Sequence, residues 1–151
     1  MTRNISASET ALLEIANSAR TDLLKTCNEH AKHGTPDSVI LKGTCGYATV
    51  FCESLIQLSK KGFTTTVRGG SPENEPAGYI DSKGTIHGHF WIEVVTPDGT
   101  FIMDITADQF DGEPIIVLPC YLGTQYVKGD QAITEHMIEM VRNGTAPTLG
   151  E

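Results

Sequence analysis

TIHGHFWIEVVTPDGTFIMDIT, Thr85 to Thr106, holds two runs rich in β-branched and aromatic residues on either side of Thr96-Pro97-Asp98-Gly99. Pro at the second place of that tetrapeptide and Gly at the fourth suit a tight turn, so a β-hairpin is expected. Side chains alternate between the two faces of a strand. His87, His89, Trp91 and Glu93 therefore share one face, opposite Ile86, Phe90, Ile92 and Val94. The loop decides which face Asp104 joins. A two-residue loop of Pro97 and Asp98 sets Asp104 opposite Trp91 and diagonal to His89, with backbones about 7–8 Å apart, a gap that side chains close. A three-residue loop with Gly99 as a bulge sends Asp104 to the other face, because a one-residue slip reverses every side chain.

Upstream, ISASETALLEIANSARTDLLKTCNEHAKHG repeats apolar residues at Leu12, Ile15, Ala16, Ala19, Leu23, Leu24 and Cys27, the period of an amphipathic helix ending near Gly34. Ser6 and Glu9 have the spacing of a capping box. A second helix is expected from Thr44 to Lys61, with Thr44 as N-cap, Gly62 as stop, and an apolar stripe of Ala48, Phe51, Cys52, Leu55 and Leu58. Phe63 to Gly69 reads as a strand, whereas GSPENEPAGYIDSKG, which follows it, has the turn-rich composition of a long loop, the kind that forms lids and binding edges. PIIVLP suggests a further strand and ITEHMIEMVRN a short C-terminal helix. Helices first and an antiparallel sheet after them give an α+β fold in one domain, 1–151, with a core of about 39–118 and a flexible tail over 144–151.

Nineteen acids against eleven bases leave a formal charge of −8, and no basic cluster is richer than Lys60-Lys61. Phosphate neutralisation needs a basic face, so nucleic acid is not an expected partner. No 18-residue apolar run exists and MTRNISASET lacks a signal peptide's layout, so no membrane partner and a cytoplasmic address are expected. In that setting Cys27, Cys45, Cys52 and Cys120 read as reduced thiols.

Cys45 follows Gly43-Thr44 and precedes Gly46, at the first turn of the second helix. Unpaired N–H groups and the positive end of the helix dipole stabilise a thiolate there, and the same groups suit the oxyanion formed when a thiolate attacks a carbonyl. A buried, inert cysteine is the competing reading. Cys52 lies seven residues on, about 10 Å along the helix axis, too far to share a metal ion or a disulfide with Cys45, and is expected to be core. Neither metal nor cofactor is expected. An imidazole acting as base needs an orienting partner, and Asp104 is the candidate for His89.

GTCGYATVFCESLIQLSKKGFTTTVRGG followed by GHFWIEVVTPDGTFIMDITADQF resembles the core of the transglutaminase-like superfamily, a branch of the papain-like cysteine enzymes. In that pattern a Cys opens a helix, a His stands two residues before a Trp on a following strand, and an Asp begins a D-x-T element. Cys45, His89 with Trp91, and Asp104 with Thr106 match it, and the likeness covers roughly Gly43 to Phe110, under half of the chain. The resemblance implies a papain-like fold and covalent acyl transfer. Cys45 attacks an amide carbonyl, His89 accepts and returns the proton, and Asp104 holds the imidazole. Gly46, His87 and Trp91 are the candidate substrate-contacting residues, with Trp91 also shielding the His-Asp contact and a plain surface position as the alternative for His87. Asp108 and Gln109 match the pattern as turn formers. The chain departs from papain-like relatives in lacking a Gln a few residues before the Cys, which leaves the Cys45 N–H as one oxyanion donor and the second unassigned. Hydrolysis of a peptide or glutamine-type amide in a protein or peptide substrate is the first expectation. Cross-linking or transfer to an amine, and a non-catalytic binding module on the same fold, are the alternatives.

Overall fold

The computed structural model describes residues 3–29, 34–37, 43–73 and 75–144. Among them are three α-helices, α1 (Ala7–Asn28), α2 (Cys45–Leu58) and α3 (Gln131–Arg142). Seven strands accompany them: β1 (Thr64–Gly70), β2 (Gly78–Ile80), β3 (Ile86–His87), β4 (His89–Thr96), β5 (Gly99–Asp104), β6 (Ile116–Pro119) and β7 (Tyr126–Val127). The fold is α+β. An antiparallel sheet in the order β1-β4-β5-β6 carries the N-terminal helices on one face, and a smaller sheet, β3-β2-β7, joins it. The expected tail over 144–151 lies, except for Gly144, outside the described residues, as do positions 39–42 of the expected core.

The central hairpin closes on Thr96↔Gly99, so its loop is the two residues Pro97 and Asp98. Asp98 N donates to Thr96 Oγ1 at 3.1 Å, and Gly99 takes φ +122, a conformation costly for a residue with a Cβ. The turn is also tied to α1, since Ser8 N donates to Asp98 Oδ2 at 3.0 Å. Pairing of Ile92 with Met103 then sets Ile92, Val94, Phe101 and Met103 on the helix-facing side, where they bury against Leu12, Ala16, Ala19 and Leu23 of α1 and Ala48, Cys52 and Ile56 of α2. A second cluster of Cys45, Val67, Phe90, Ile138 and Val141 packs α3 against β1 and the start of α2.

Four expectations need correction. Helix α1 stops at Asn28, well before Gly34, since no apolar residue follows Cys27 until Ala31, and 30–33 lie outside the described residues. Ser6 Oγ caps α1 by accepting from Glu9 N at 3.1 Å, while both oxygens of the Glu9 carboxylate take Arg3 N–H groups at 2.6 and 2.7 Å. On α2, Ala48 and Cys52 are buried and Phe51 and Leu55 pack against the same core, as the stripe expects, whereas Leu58 is 73% exposed and Ile56 takes an inward place. The polar loop after β1 contains β2, whose Tyr79 is buried between β3 and β7, and a strand of three residues is too short to show a period.

Candidate active site

Gly43, at φ +80, turns the chain into α2 in a left-handed conformation that favours glycine. The first helical bond runs from Ala48 N to Thr44 O at 2.9 Å, so Cys45, Gly46 and Tyr47 have no partner within the helix for their N–H groups. Thr44 occupies the N-cap position without a side-chain capping bond, because φ −98 and ψ 6 depart from the extended backbone that capping requires. A Cβ on Gly46 would meet Val141 Cγ2 at 3.0 Å and the Phe90 ring at 3.6 Å. Its smallness therefore lets α3 and β4 close on the helix start, and the N-terminus of α2 abuts the His89 end of β4.

The two-residue loop brings Asp104 to the face of β4 that carries His89 and Trp91. His89 Nε2 donates to Asp104 Oδ2 at 2.7 Å, since a carboxylate only accepts. The same oxygen accepts from the Tyr126 hydroxyl at 2.7 Å, and Oδ1 accepts from Thr106 N at 3.0 Å. Asp104 is 4% exposed and His89 is not exposed at all. Burial works against the charged imidazole, but the charge and hydrogen bond of Asp104 outweigh it; with the side chain of Cys45 acting in the same direction, the His89 pKa rises from 6.5 to about 10. Burial alone would push Asp104 up, yet the charge of His89 and the three donors hold it below its ordinary 3.8. Both shifts act in the direction of the ion pair, an imidazolium against a carboxylate. With Nε2 committed to Asp104, Nδ1 is the ring nitrogen left for Cys45.

Aromatic rings enclose the imidazole. Tyr79 and Phe110 meet it edge-on at 5.9 and 5.2 Å between centroids, and Trp91 lies nearly parallel at 6.3 Å. Such walls exclude water and strengthen the charges inside. His87 is not aligned with His89 along one strand, because the backbone breaks at Gly88 and His87 ends β3 in the small sheet. Its Nε2 pairs with Asp81 Oδ2 at 2.8 Å and its ring stacks on Phe110 at 4.4 Å, so Phe110 touches both imidazoles. Tyr126 and Tyr79 were not among the sequence candidates. Both sit on strands of two or three residues that leave no period to read.

Among the described residues, the buried side-chain nitrogens and oxygens without a hydrogen-bond partner are His89 Nδ1, Trp91 Nε1 and Gln109 Nε2. Buried polar groups are nearly always paired, so orphans on His89 itself, on the Trp91 ring beside it and on the Gln109 amide at the entry of α2 mark places built for something besides packing.

The segment after Asp104 is held by α1. Arg20, buried on that helix, donates through one terminal nitrogen to Ile105 O at 2.6 Å, Asp108 Oδ1 at 2.9 Å and Pro114 O at 3.0 Å, and through the other to Asp108 Oδ2 at 2.6 Å. Asp108 and Gln109 do lie in a 3-10 turn, Ala107–Phe110, but each also has a long-range task, as Gln109 Oε1 accepts from Gly43 N at 3.1 Å. Arg20 falls at i+8 from Leu12 and i+4 from Ala16, a cation on the buried face, and that was the available signal. Replacing it, as in Arg20→Met, takes the Arg20 donors away from a carboxylate that is 15% exposed and from two carbonyls. A loss of about 3–5 kcal/mol is expected in urea unfolding.

Three further thiols are shaped by their surroundings. Burial, with Asp104 adding to it, pushes Cys52 up to about 12, burial and Glu93 push Cys120 up to about 11, and burial raises Cys27. All four described cysteines are unpaired. No group of three or more His, Cys, Asp or Glu among the described residues is arranged to hold a metal ion, and no described helix is long and apolar enough to cross a membrane.

The class that fold and site define is an α+β domain with a cysteine at a helix N-terminus beside a buried histidine–carboxylate pair. Comparison of the chain with family models, with curated proteins and with solved structures finds no match.

Proposed function

We propose that this chain is a cysteine-dependent acyl-transfer enzyme of transglutaminase-like type that hydrolyses a peptide or glutamine-type amide through a thioester. The observation that carries this is His89, bound through Nε2 to Asp104 and left with an unpartnered Nδ1 for Cys45. The His89 ring and the N–H groups of the helix start both act at Cys45, the surroundings in which a cysteine serves as a nucleophile. The thiolate attacks the substrate carbonyl carbon, forming the C–S bond as the carbonyl π pair moves to oxygen, where the Cys45 N–H receives it. The C–N bond then breaks and Nδ1–H of His89 gives its proton to the departing amine or ammonia. Neutral His89 next takes a proton from water, the hydroxide adds to the thioester, and the thiolate leaves.

Cys45 keeps 8% of its surface where His89 keeps none, so of the two residues Cys45 is the one open to a substrate. Trp91 and His87 flank this arrangement, Trp91 as the ring that shields His89 and His87 beyond Phe110. The substrate is a protein or peptide, and the four unpaired thiols fit a cytoplasmic setting.

Intact-mass spectrometry after treatment with p-nitrophenyl acetate tests the nucleophile. One acetyl group is expected, mapped to Cys45 and lost in Cys45→Ala. Ammonia leaves as the thioester forms in either case, so conversion of glutamine to glutamate in a peptide, read by mass spectrometry, supports hydrolysis, whereas incorporation of monodansylcadaverine makes amine transfer the activity. Acetylation elsewhere, unchanged in Cys45→Ala, contradicts the proposal.

A further inference from the structure

We propose that Gln109 is the second oxyanion donor of the Cys45 site. This rests on the acyl-transfer function above and assigns the donor that the sequence leaves open. Gln109 lies in the turn that follows Asp104 and Thr106, more than sixty residues after Cys45, yet its side chain reaches back to the entry of α2. Gly43 N–H is a donor, so the amide atom it meets at 3.1 Å is Oε1, and this fixes which way the carboxamide points. Gly43 stands two residues before the nucleophile, so the carboxamide is tied at the entry of that helix, and its Nε2 is buried and without an acceptor.

A carboxamide held by its oxygen, with a dry NH₂ left over, is a preorganised donor. It costs no reorganisation when negative charge forms beside it. The open N–H of Cys45 supplies the first hydrogen bond and Gln109 Nε2–H the second, both to the oxygen that gains the carbonyl π pair as sulfur bonds to carbon. The bonds strengthen as that charge develops and relax when the C–N bond breaks and the carbonyl re-forms. Trp91 Nε1, the other orphaned donor, fits the role less well. Trp91 stands across from Asp104 on the Nε2 side of His89, whereas the sulfur belongs to the Nδ1 side.

The clamp on this turn serves the same end. Arg20 fixes Asp108, the residue before Gln109, and Phe110, the residue after it, packs against His89. One short segment therefore sets carboxylate, imidazole wall and amide donor relative to the helix start.

The test compares two reactions of Cys45. Acylation by p-nitrophenyl acetate, read as the pre-steady-state burst of p-nitrophenolate, passes through a tetrahedral oxyanion; alkylation by iodoacetamide does not. Gln109→Glu keeps an oxygen to accept from Gly43 N–H but has no NH₂, and Gln109→Met has neither. Burst rates are expected to fall about 10²-fold in both variants, with the alkylation rate of Gln109→Met within about threefold of wild type. Parallel loss of both reactions, or wild-type acylation by Gln109→Glu, makes Gln109 a mere tie for Gly43 and overturns the assignment. A wild-type protein that alkylates at Cys45 but shows no burst overturns the acyl-transfer function itself, and the donor role with it, and is told apart from the other failures because no variant is needed to see it.

Discussion

Asp104→Asn is expected to lower the rate of acylation at Cys45 by about 10³- to 10⁴-fold and to cost about 3–5 kcal/mol of stability, with the overall fold retained. Volume is nearly unchanged, so the effect is one of charge and tautomer. If the new amide keeps its oxygen on Thr106 N, its NH₂ faces His89 Nε2 and the Tyr126 hydroxyl, where the wild-type carboxylate accepts from both. An imidazole that accepts at Nε2 carries its proton on Nδ1 as the neutral tautomer and has no basic nitrogen left for its task. If the amide flips, its NH₂ opposes the Thr106 N–H instead. Either orientation leaves buried groups mismatched.

The same variant reports on pH. His89, raised from 6.5 to about 10, contributes stability that is complete below pH 6.5 and is lost as pH climbs through 10. Asp104, lowered from 3.8, contributes stability that is complete above pH 3.8 and is lost in acid. The pair is therefore most stabilising between pH 3.8 and 6.5, and thermal unfolding of the wild type should show a decline in melting temperature from pH 6.5 towards 10. In Asp104→Asn that alkaline decline should largely disappear, because the imidazole has lost the charge that kept it protonated. An unchanged slope would mean that other groups carry it.

Cys45→Ser is expected to abolish acyl-enzyme formation, with a loss of about four orders of magnitude or more, while stability changes by no more than about 1 kcal/mol. The substitution swaps one small atom in a residue packed between Val67, Phe90 and Ile138, so the fold has little to lose. Chemistry has much more to lose, because a hydroxyl is a far weaker nucleophile than a thiol at neutral pH. Cys45 also helps to hold the His89 pKa up, so the imidazole of Cys45→Ser should titrate below its wild-type value. An NMR titration of the His89 ring reads that shift. A purely structural Cys45 would leave the titration where it was.

The hairpin and its consequences were legible because two short-range rules apply there. Alternation placed His89 and Trp91 on one face, and the Thr96-Pro97-Asp98-Gly99 turn left only two possible registers for Asp104. The start of α2 was legible for a similar reason, since Gly43, Thr44 and the apolar spacing after Cys45 are local signals. What escaped depends on contacts between distant segments. Tyr126 reaches Asp104 from a two-residue strand, Arg20 reaches Ile105 and Asp108 from the first helix, and Gln109 reaches Gly43 across the site. None of these has a period. The break at Gly88, which moves His87 into the small sheet, is likewise set by pairing with β2 and not by the sequence of the strand itself.

Burial makes the most direct measurement a contest between cysteines. Cys27 and Cys120 are partly exposed and Cys45 is buried, so access alone predicts that they react first. Wild-type protein should be treated with substoichiometric iodoacetamide at neutral pH and the labelled position read by peptide mass spectrometry, alongside His89→Gln. A nucleophile activated by His89 predicts Cys45 alkylated well ahead of Cys27 and Cys120 in the wild type, with that lead lost in His89→Gln. Labelling of Cys27 or Cys120 first, or a Cys45 rate that His89→Gln leaves unchanged, would contradict the account.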